Sequence, residues 1–299
     1  MIQLPAVSPG VATVREILDM LLLEYRLRAR STAPHLECRM RLHLLPLLGN
    51  CQAAALDHRY FQAYIGERQR EEASNATINR ELQHLRAALR LAVDGGLLTK
   101  APRIRLLTED NIRTGFLEHW QYCALRAALE PHMERLFVVA YHTGCRSGEL
   151  LQLTWDQVDL GAGQIWLWPG QTKGKTPRMV PVYGDMEAAL SASRRECDRY
   201  PDCRHVFHRG GQRIADYRKA WRRGLRKANL PGLRFHDLRR SAVRNMDRAG
   251  VPRATIRRII GHETESMFQR YRIVDQREIA EAGQRIEAYL RSQPGAFRS

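Results

Sequence analysis

Four short stretches of the sequence contain residue types suited to chemistry on a phosphodiester. They are HTGCRSGEL at 142–150, TKGK at 172–175, FHDLRRS at 235–241 and GHETESMFQRY at 261–271. A tyrosine phenol can form an ester with phosphate and so keep the bond energy when a strand is cut, which makes Tyr271 the candidate nucleophile. Planar guanidinium groups bind the non-bridging oxygens of a phosphate in a bidentate manner. Arg146 and Arg239 suit that role.

The spacing of the other polar residues supports the same chemistry. His236 and Arg239 are three positions apart, so on a helix they share a face and would reach the same phosphate. The leaving 5′ oxygen needs a proton, and a lysine on a hairpin loop can deliver it. Both Lys173 and Lys175 lie in that loop, and chemistry alone does not choose between them.

In order and spacing, the four stretches resemble the signature boxes of the tyrosine recombinases, the phage integrase family. The boxes are an arginine in TGxRxxEL, a hairpin lysine, HxxR, GH, and a tyrosine nine residues after that histidine. The resemblance implies Lys173 as general acid, His236 as an aid to proton transfer at the tyrosine, and His262 as a hydrogen-bond donor to the phosphate. Cys145, Arg240 and Ser241 depart from common family residues without removing a functional group.

Each motif also has a simpler interpretation. HxxR or GH alone recurs by chance, and a lone tyrosine near arginines is more often structural, so the prediction rests on the combination. Glu149 in the first box is interpreted as a support for local geometry. No nucleotide-binding loop or acidic metal cluster is present, and we expect no cofactor.

The cysteines allow one rival interpretation. Zinc ligands are conceivable where Cys197, Cys203, His205 and His208 lie close in sequence, but their spacing fits no standard zinc site. Ordinary thiols are therefore the preferred reading, with no metal. All six cysteines lack a CxxC pairing, and we predict no disulfides.

The charge balance points to a polyanionic partner. Lys and Arg number 48 against 32 Asp and Glu, a formal net charge of 48 − 32 = +16. Double-stranded DNA is the first candidate, and an acidic membrane surface is the rival. The sequence opens with neither a secretory signal nor a lipidation motif, and charged residues interrupt every apolar run well short of the ~18 residues of a spanning helix. We therefore expect a cytoplasmic, nucleoid-associated protein without membrane partners.

Apolar residues recur at helical spacing through the first third of the chain. Residues 11–97 are predicted to form a helical DNA-binding domain of four segments, resembling the SAM-like core-binding domain of the family. The fourth segment begins near Ser74 and ends at Asp94-Gly95-Gly96. Its polar face carries four candidate DNA-binding side chains, Arg80, Gln83, Arg86 and Arg90. A merely solvated basic face is equally compatible with that pattern.

A basic connector is predicted at 98–108, followed by a mixed catalytic domain at 109–292. Residues 163–168 and 178–182 form a predicted β-hairpin around the lysine loop. Helices are expected near 118–142, 184–197, 212–228, 237–249, 252–260 and 276–291. The last carries an apolar face that either docks on a neighbouring protomer or packs on its own domain. The fold class is therefore mainly α with a small β-sheet, an α+β arrangement with the catalytic domain of the tyrosine recombinase fold.

The predicted function is site-specific DNA recombination through a 3′-phosphotyrosine intermediate and a Holliday junction. The resemblance implies a homotetramer on two DNA sites, with accessory DNA-bending or directionality proteins as further partners. Integrase and resolvase roles both remain open. Two other classes stay in view: a catalytically silent DNA-binding regulator and a nicking-closing enzyme like the type IB topoisomerases.

Overall fold

A computed structural model describes residues 12–109, 115–168 and 177–261, together with residues 284, 286–289 and 291 of the C-terminal region. The chain divides into two compact units, Met1–Asn111 and Ile112–Ser299. Each unit has its own apolar core. We describe the two units separately.

The regular elements of the first unit are all helical within its described residues. Its α-helices are α1 (Val14–Leu27), α2 (Ala33–Arg39), α3 (Leu45–Leu48), α4 (His58–Arg70) and α5 (Asn75–Asp94). A π-helical turn joins α2 to α3, and a short 3-10 turn precedes α4. Thr13 caps α1 in a capping box with Glu16, and Ser74 caps α5 by accepting from the Thr77 N–H. Apolar faces of these helices form one core, with α1 packed on α5.

A buried charged cluster joins α4 to α5. Glu81 is fully buried and accepts hydrogen bonds from the Tyr64 hydroxyl at 2.8 Å and from Arg68 Nη2 at 2.9 Å. Charges are tolerated in a core when they are paired and hydrogen-bonded in this way. Burial and the Glu81 carboxylate also raise the pKa of Tyr64 well above that of an exposed phenol.

Part of the predicted connector packs onto the first unit. Leu98 and Ile104 are buried in its core. Asn79 of α5 donates to the Leu107 carbonyl and accepts from the Leu107 N–H, each at 2.8 Å. The segment after α5 is therefore attached to that helix by packing and by side-chain hydrogen bonds.

The second unit surrounds a small sheet with helices. Its helices are α6 (His119–Ala128), α7 (Pro131–Thr143), α8 (Ser147–Leu151), α9 (Asp185–Cys197), α10 (Arg218–Lys227), α11 (Asp237–Arg248) and α12 (Arg253–Ile260). The strands are β1 (Val158–Asp159), β2 (Gln164–Leu167), β3 (Arg178–Pro181), β4 (His208–Arg209) and β5 (Gln212–Arg213). Antiparallel β1-β2-β3 form one sheet, and β4 and β5 form a separate hairpin. Helix α7 lies in the core and packs against both α9 and α11.

One sequence expectation differs from the structure in detail. The helix expected at 212–228 is β5 followed by α10, because Gly210 and Gly211 adopt positive φ angles of 58° and 78° and turn the chain into a hairpin. The helices expected near 118–142 are α6 and α7, which are separate because Pro131 starts α7 and cannot continue α6. The helix expected at 276–291 falls mostly outside the described residues.

The predicted hairpin is confirmed, with Trp166 paired to Met179 in its register. The expectation of a mainly α fold with a small sheet is also confirmed. Within the described parts of the chain, none of the helices is long and apolar enough to cross a lipid bilayer.

Candidate active site

Arg146 is fixed at the start of α8 by Glu149. The Arg146 backbone N–H donates to Glu149 Oε2 at 2.9 Å, and its Nη1 donates to Glu149 Oε1 at 2.9 Å. A glutamate at the third helical position commonly bonds back to the residue preceding the helix. The Arg146 side chain keeps 24% of its surface exposed, whereas that of Glu149 keeps 2%. The buried Glu149 carboxylate therefore holds the Arg146 guanidinium in place, and that guanidinium remains partly exposed to solvent.

Arg178 binds the same carboxylate. Its Nη2 donates to Glu149 Oε2 at 2.5 Å, and its Nε donates to the Ile259 carbonyl at 3.0 Å. Arg178 lies at the start of β3 and is buried. One buried carboxylate thus connects α8 to β3, and Arg178 connects β3 to α12.

Two opposing effects determine the charge of Glu149: burial of its carboxyl group, and pairing of that group with arginines. Burial by itself raises the pKa of Glu149, but the hydrogen bonds and charges of Arg178 and Arg146 outweigh it and hold the pKa below its usual value. Glu149 is therefore ionised at neutral pH. The nearby Cys145 thiol is fully enclosed, and burial raises its pKa, so it stays protonated.

Arg239 occupies the middle of the second unit. Its side chain is almost wholly buried, with Nη1 donating to the Gly144 carbonyl and Nη2 to the Ile260 carbonyl, both at 2.8 Å. The first carbonyl lies two residues before Arg146, and the second ends α12. Arg239 therefore joins α11 to the loop that carries the first arginine and to the end of the helix before His262.

Two glycines permit this close approach. Gly144 has φ of +64°, and a Cβ there would lie 2.6 Å from Ile260 Cδ1 and 3.0 Å from Ala242 Cβ. Gly261 has φ of +75°, and a Cβ there would lie 2.9 Å from Arg178 Nη1. A side chain at either position would be strained and would push the arginines out of place.

His236 lies at the start of α11 and is held neutral. Burial lowers its pKa, and the positive charges of Arg239, Arg146 and Arg240 lower it further, against an opposing effect of Asp237. The charges of both candidate phosphate-binding arginines therefore act on His236. A neutral imidazole among guanidinium groups can accept a proton.

Half of the predicted catalytic set can be located in this way. The structure brings Arg146, His236 and Arg239 together. Lys173, Lys175, His262 and Tyr271 lie outside the described residues. Their neighbours in sequence are described: β2 and β3 flank the lysine loop, and Gly261 directly precedes His262.

Sequence reasoning missed Arg178. The run at 178–182 predicts a strand, but no role is predicted for the arginine within it. A usable signal was present, because Arg178 shares the inward alternation of Val180 whereas Met179 points outward. A charged residue on the buried side of a strand requires a buried partner, which here is Glu149.

Ser241 departs from common family residues and has a structural role here. Its hydroxyl accepts from the Leu117 N–H at 2.9 Å and donates to the Asp237 carbonyl at 3.2 Å. The serine therefore attaches the segment before α6 to the helix that carries Arg239.

The candidate DNA-binding residues on α5 are not equivalent. Arg80, Gln83 and Arg90 are exposed, whereas Arg86 is half-buried and donates to the Ile104 carbonyl. Arg80 also donates to the Ala76 carbonyl, one turn earlier in its own helix. Three of the four side chains are thus open to a partner, and the fourth binds the segment that follows the helix.

Comparison with known sequences connects this geometry to a family. Residues 108–278, more than half of the chain, match the Phage integrase family. The integrase of Salmonella phage P22 is 25% identical over 238 residues, which cover 72% of this chain and 58% of that protein. A shufflon-specific DNA recombinase of Escherichia coli is 30% identical over 139 residues, covering 46% of this chain and 33% of that protein. The chain thus spans between one third and three fifths of these two relatives.

Solved structures show the same fold over nearly the whole chain. The Tn1549 transposon integrase, in complex with a circular intermediate DNA, superposes with a TM-score of 0.76 at 18% identity, covering 92% of this chain and 99% of that one. A lambda integrase tetramer bound to a Holliday junction superposes with a TM-score of 0.74 at 17% identity, covering 89% of this chain and 79% of that one. At these identities the likeness is one of fold.

Proposed function

Since the chain belongs to the phage integrase family, we propose that it is a site-specific tyrosine recombinase that cuts and rejoins double-stranded DNA. The observation that carries this proposal is the convergence of Arg146, Arg239 and neutral His236 in one site. Guanidinium groups held by a buried scaffold can stabilise the charge that develops on a phosphodiester under attack, without reorganising during the reaction. The net charge of +16 suits a DNA substrate.

In the proposed reaction, the Tyr271 phenol attacks the scissile phosphate. The phenol loses its proton with the help of His236, a 3′-phosphotyrosine bond forms, and the 5′ oxygen leaves with a proton from Lys173. Arg146, Arg239 and His262 hold the non-bridging oxygens. The reverse reaction, with a 5′ hydroxyl of the partner strand, reseals the DNA and conserves the bond energy. No cofactor is required for this exchange.

The assembly is proposed by analogy with the relatives. Exchange of one strand pair and then the other, through a Holliday junction, requires four active sites on two DNA sites, hence a homotetramer on DNA. The helical unit would contact the duplex through the exposed Arg80, Gln83 and Arg90 of α5, with Arg86 positioning the segment behind it. Accessory DNA-bending proteins would set directionality. The protein would act on DNA at the nucleoid, in the cytoplasm.

A plasmid assay tests this proposal. A supercoiled plasmid carrying two copies of the DNA that flanks the gene is incubated with the protein, and an Arg146→Ala variant serves as the control. Arg146 is partly exposed, so its loss should remove phosphate binding without emptying the core. We expect deletion or inversion products with the natural protein and none with the variant.

The same assay separates the two rival functions. Relaxation of any supercoiled plasmid, without recombinant products and without a site requirement, would identify a nicking-closing enzyme. Tight binding to a defined site, with neither relaxation nor recombination, would identify a silent regulator. Footprinting of the plasmid identifies the bound site and shows that the correct DNA was tested.

A further inference from the structure

A second cluster of reactive side chains lies in the same unit, at residues that the proposed recombination reaction does not use. One ligand atom from each of Cys197, Cys203 and His208 lies within 4.8 Å of the other two. Cys197 ends α9, Cys203 follows after a turn, and His208 begins β4. The sequence spacing alone did not favour a metal site, but the fold brings these three residues to one point.

The backbone around the cluster is well fixed. The Tyr200 N–H donates to the Cys197 carbonyl at 2.8 Å, and the Cys203 N–H donates to the Tyr200 carbonyl at 2.9 Å, which folds the segment into two successive turns. Beyond them, the Val206 N–H donates to the Leu153 carbonyl at 2.9 Å. The three side chains are thus presented by a preformed frame, which lowers the ordering cost of holding an ion.

His208 supplies an independent observation. Its side chain is 2% exposed, and its Nε2 has no hydrogen-bond partner among the described residues. Its Nδ1 accepts only a 3.2 Å hydrogen bond from the Gly211 N–H within that part of the chain. Buried polar atoms without partners are rare and call for an explanation. A bound ion gives this imidazole a partner that the protein does not provide.

The Cys203 sulfur is a protonated thiol in the metal-free chain. Burial and the neighbouring Cys197 raise the pKa of Cys203 to about 11. The Cys197 thiol donates to the Cys203 carbonyl at 3.0 Å, and the Cys203 thiol donates to the His205 carbonyl at 3.6 Å. A protonated thiol is a poor nucleophile, which argues against a redox-reactive Cys203. Metal binding would release both protons to solvent, and two thiolates would balance one divalent charge.

The cluster also has an access path. Cys197 and Cys203 line a surface cavity of about 640 Å³, together with Thr154, Tyr200 and neighbouring side chains. Two sulfur ligands and one imidazole form a set that suits Zn²⁺, whose tetrahedral sites place ligand atoms roughly 3.4–3.8 Å apart.

We propose that Cys197, Cys203 and His208 form a Zn²⁺ site, with a fourth position open to water from the cavity. The ion has a structural role: it joins the end of α9 to the β4–β5 hairpin. Coordination exchanges the weak Gly211 contact and two thiol hydrogen bonds for three metal–ligand bonds. The site does not depend on the recombination chemistry.

Cobalt titration tests the site directly. The full chain is purified with a chelator and a thiol reductant, and Co²⁺ is added as a spectroscopic stand-in for Zn²⁺. We expect a thiolate-to-cobalt charge-transfer band that saturates at one equivalent, is abolished in Cys197→Ser and Cys203→Ser, and is unchanged in Cys38→Ser, a control at an exposed cysteine of the other unit. Absence of the band, or its persistence in both cluster variants, overturns the proposal.

A second measurement covers variants that fail to fold. The natural chain is alkylated with and without Zn²⁺ after brief heating, and the cysteines are mapped by mass spectrometry. Selective protection of Cys197 and Cys203 by Zn²⁺, with no change at Cys38, supports the site. Equal labelling of all three with and without the metal rejects it.

Discussion

Replacing Arg178 by methionine should destabilise the second unit by removing the main partner of a buried carboxylate. Glu149 would keep only Arg146, which donates to Oε1 at 2.9 Å from a partly exposed position. Breaking a buried ion pair typically costs about 3–5 kcal/mol, and the surviving partner favours the lower end, ~3 kcal/mol. Loss of the hydrogen bond to the Ile259 carbonyl at 3.0 Å acts in the same direction.

The assay is urea unfolding followed by tryptophan fluorescence. All five tryptophans lie at or beyond position 120, so their emission reports on the second unit alone. Arg218→Met is the matched control, because the Arg218 side chain is exposed and its guanidinium lies 4.0 Å from the Asp216 carboxylate. Exposed pairs of this kind contribute under about 1 kcal/mol. The double variant Glu149→Gln with Arg178→Met should recover a large part of the loss, since no unpaired charge remains buried.

The pH dependence identifies the cause. In the natural chain the pKa of Glu149 is lowered, so its pairing stabilises the fold above the unfolded carboxyl pKa of about 4.3 and is lost only as the pH falls through the lower folded value. Without Arg178, burial raises that pKa, and proton uptake stabilises the variant as the pH falls. The stability gap should therefore narrow between about pH 7 and about pH 5. A gap that stays constant over this range would refute the charge argument and assign the loss to packing.

Three further outcomes are expected. Gly144→Ala should destabilise the second unit by about 1–3 kcal/mol, because the new Cβ would lie 2.6 Å from Ile260 in a positive-φ conformation. The control is Gly148→Ala, whose Cβ meets nothing within 4 Å. Equal stability of the two variants in urea would contradict this account. Glu81→Gln should destabilise the first unit by about 3 kcal/mol, seen as an earlier transition by circular dichroism with unchanged tryptophan emission; a shift of the fluorescence transition instead would show that the effect is not local. His236 should titrate below the unperturbed value of about 6.5 in NMR, because burial and the neighbouring arginines lower its pKa. A midpoint above that value would contradict this electrostatic argument.

Much of the fold was predictable because local signals agreed with the final packing. The stripe at Ile78, Leu82, Leu85 and Leu89 is fully buried in α5, as its helical spacing indicated. The hairpin of β2 and β3 followed from two β-rich runs around a turn sequence. The β4–β5 hairpin was missed because its strands are two residues long, too short for any periodicity, and only Gly210 and Gly211 marked the turn.

The parts of the candidate site that lie within one short motif were predictable, because the spacing of residues in a motif fixes their relative positions. The HxxR spacing places His236 directly before α11 and Arg239 in its first turn, and the TGxRxxEL box gives Arg146 and Glu149 a shared helix start. Contacts between distant segments are not encoded in that way. Glu149 and Arg178 are separated by 29 positions in the sequence, and Arg239 and Gly144 by 95. These pairs form contacts only through tertiary packing. The cluster of Cys197, Cys203 and His208 was not predicted as a metal site for the same reason, because its residues come together only through tertiary packing.

The most direct test of the central claim is to trap the covalent intermediate. A nicked suicide substrate, built from the footprinted site and radiolabelled on the cleaved strand, is incubated with the natural protein and with Tyr271→Phe, and both are run on denaturing gels. The recombinase account predicts a labelled protein–DNA adduct with the natural chain, linked through Tyr271 by peptide mapping, and no adduct with the variant. Tight binding of both proteins to the site without any adduct, or an adduct that persists in Tyr271→Phe, would contradict it.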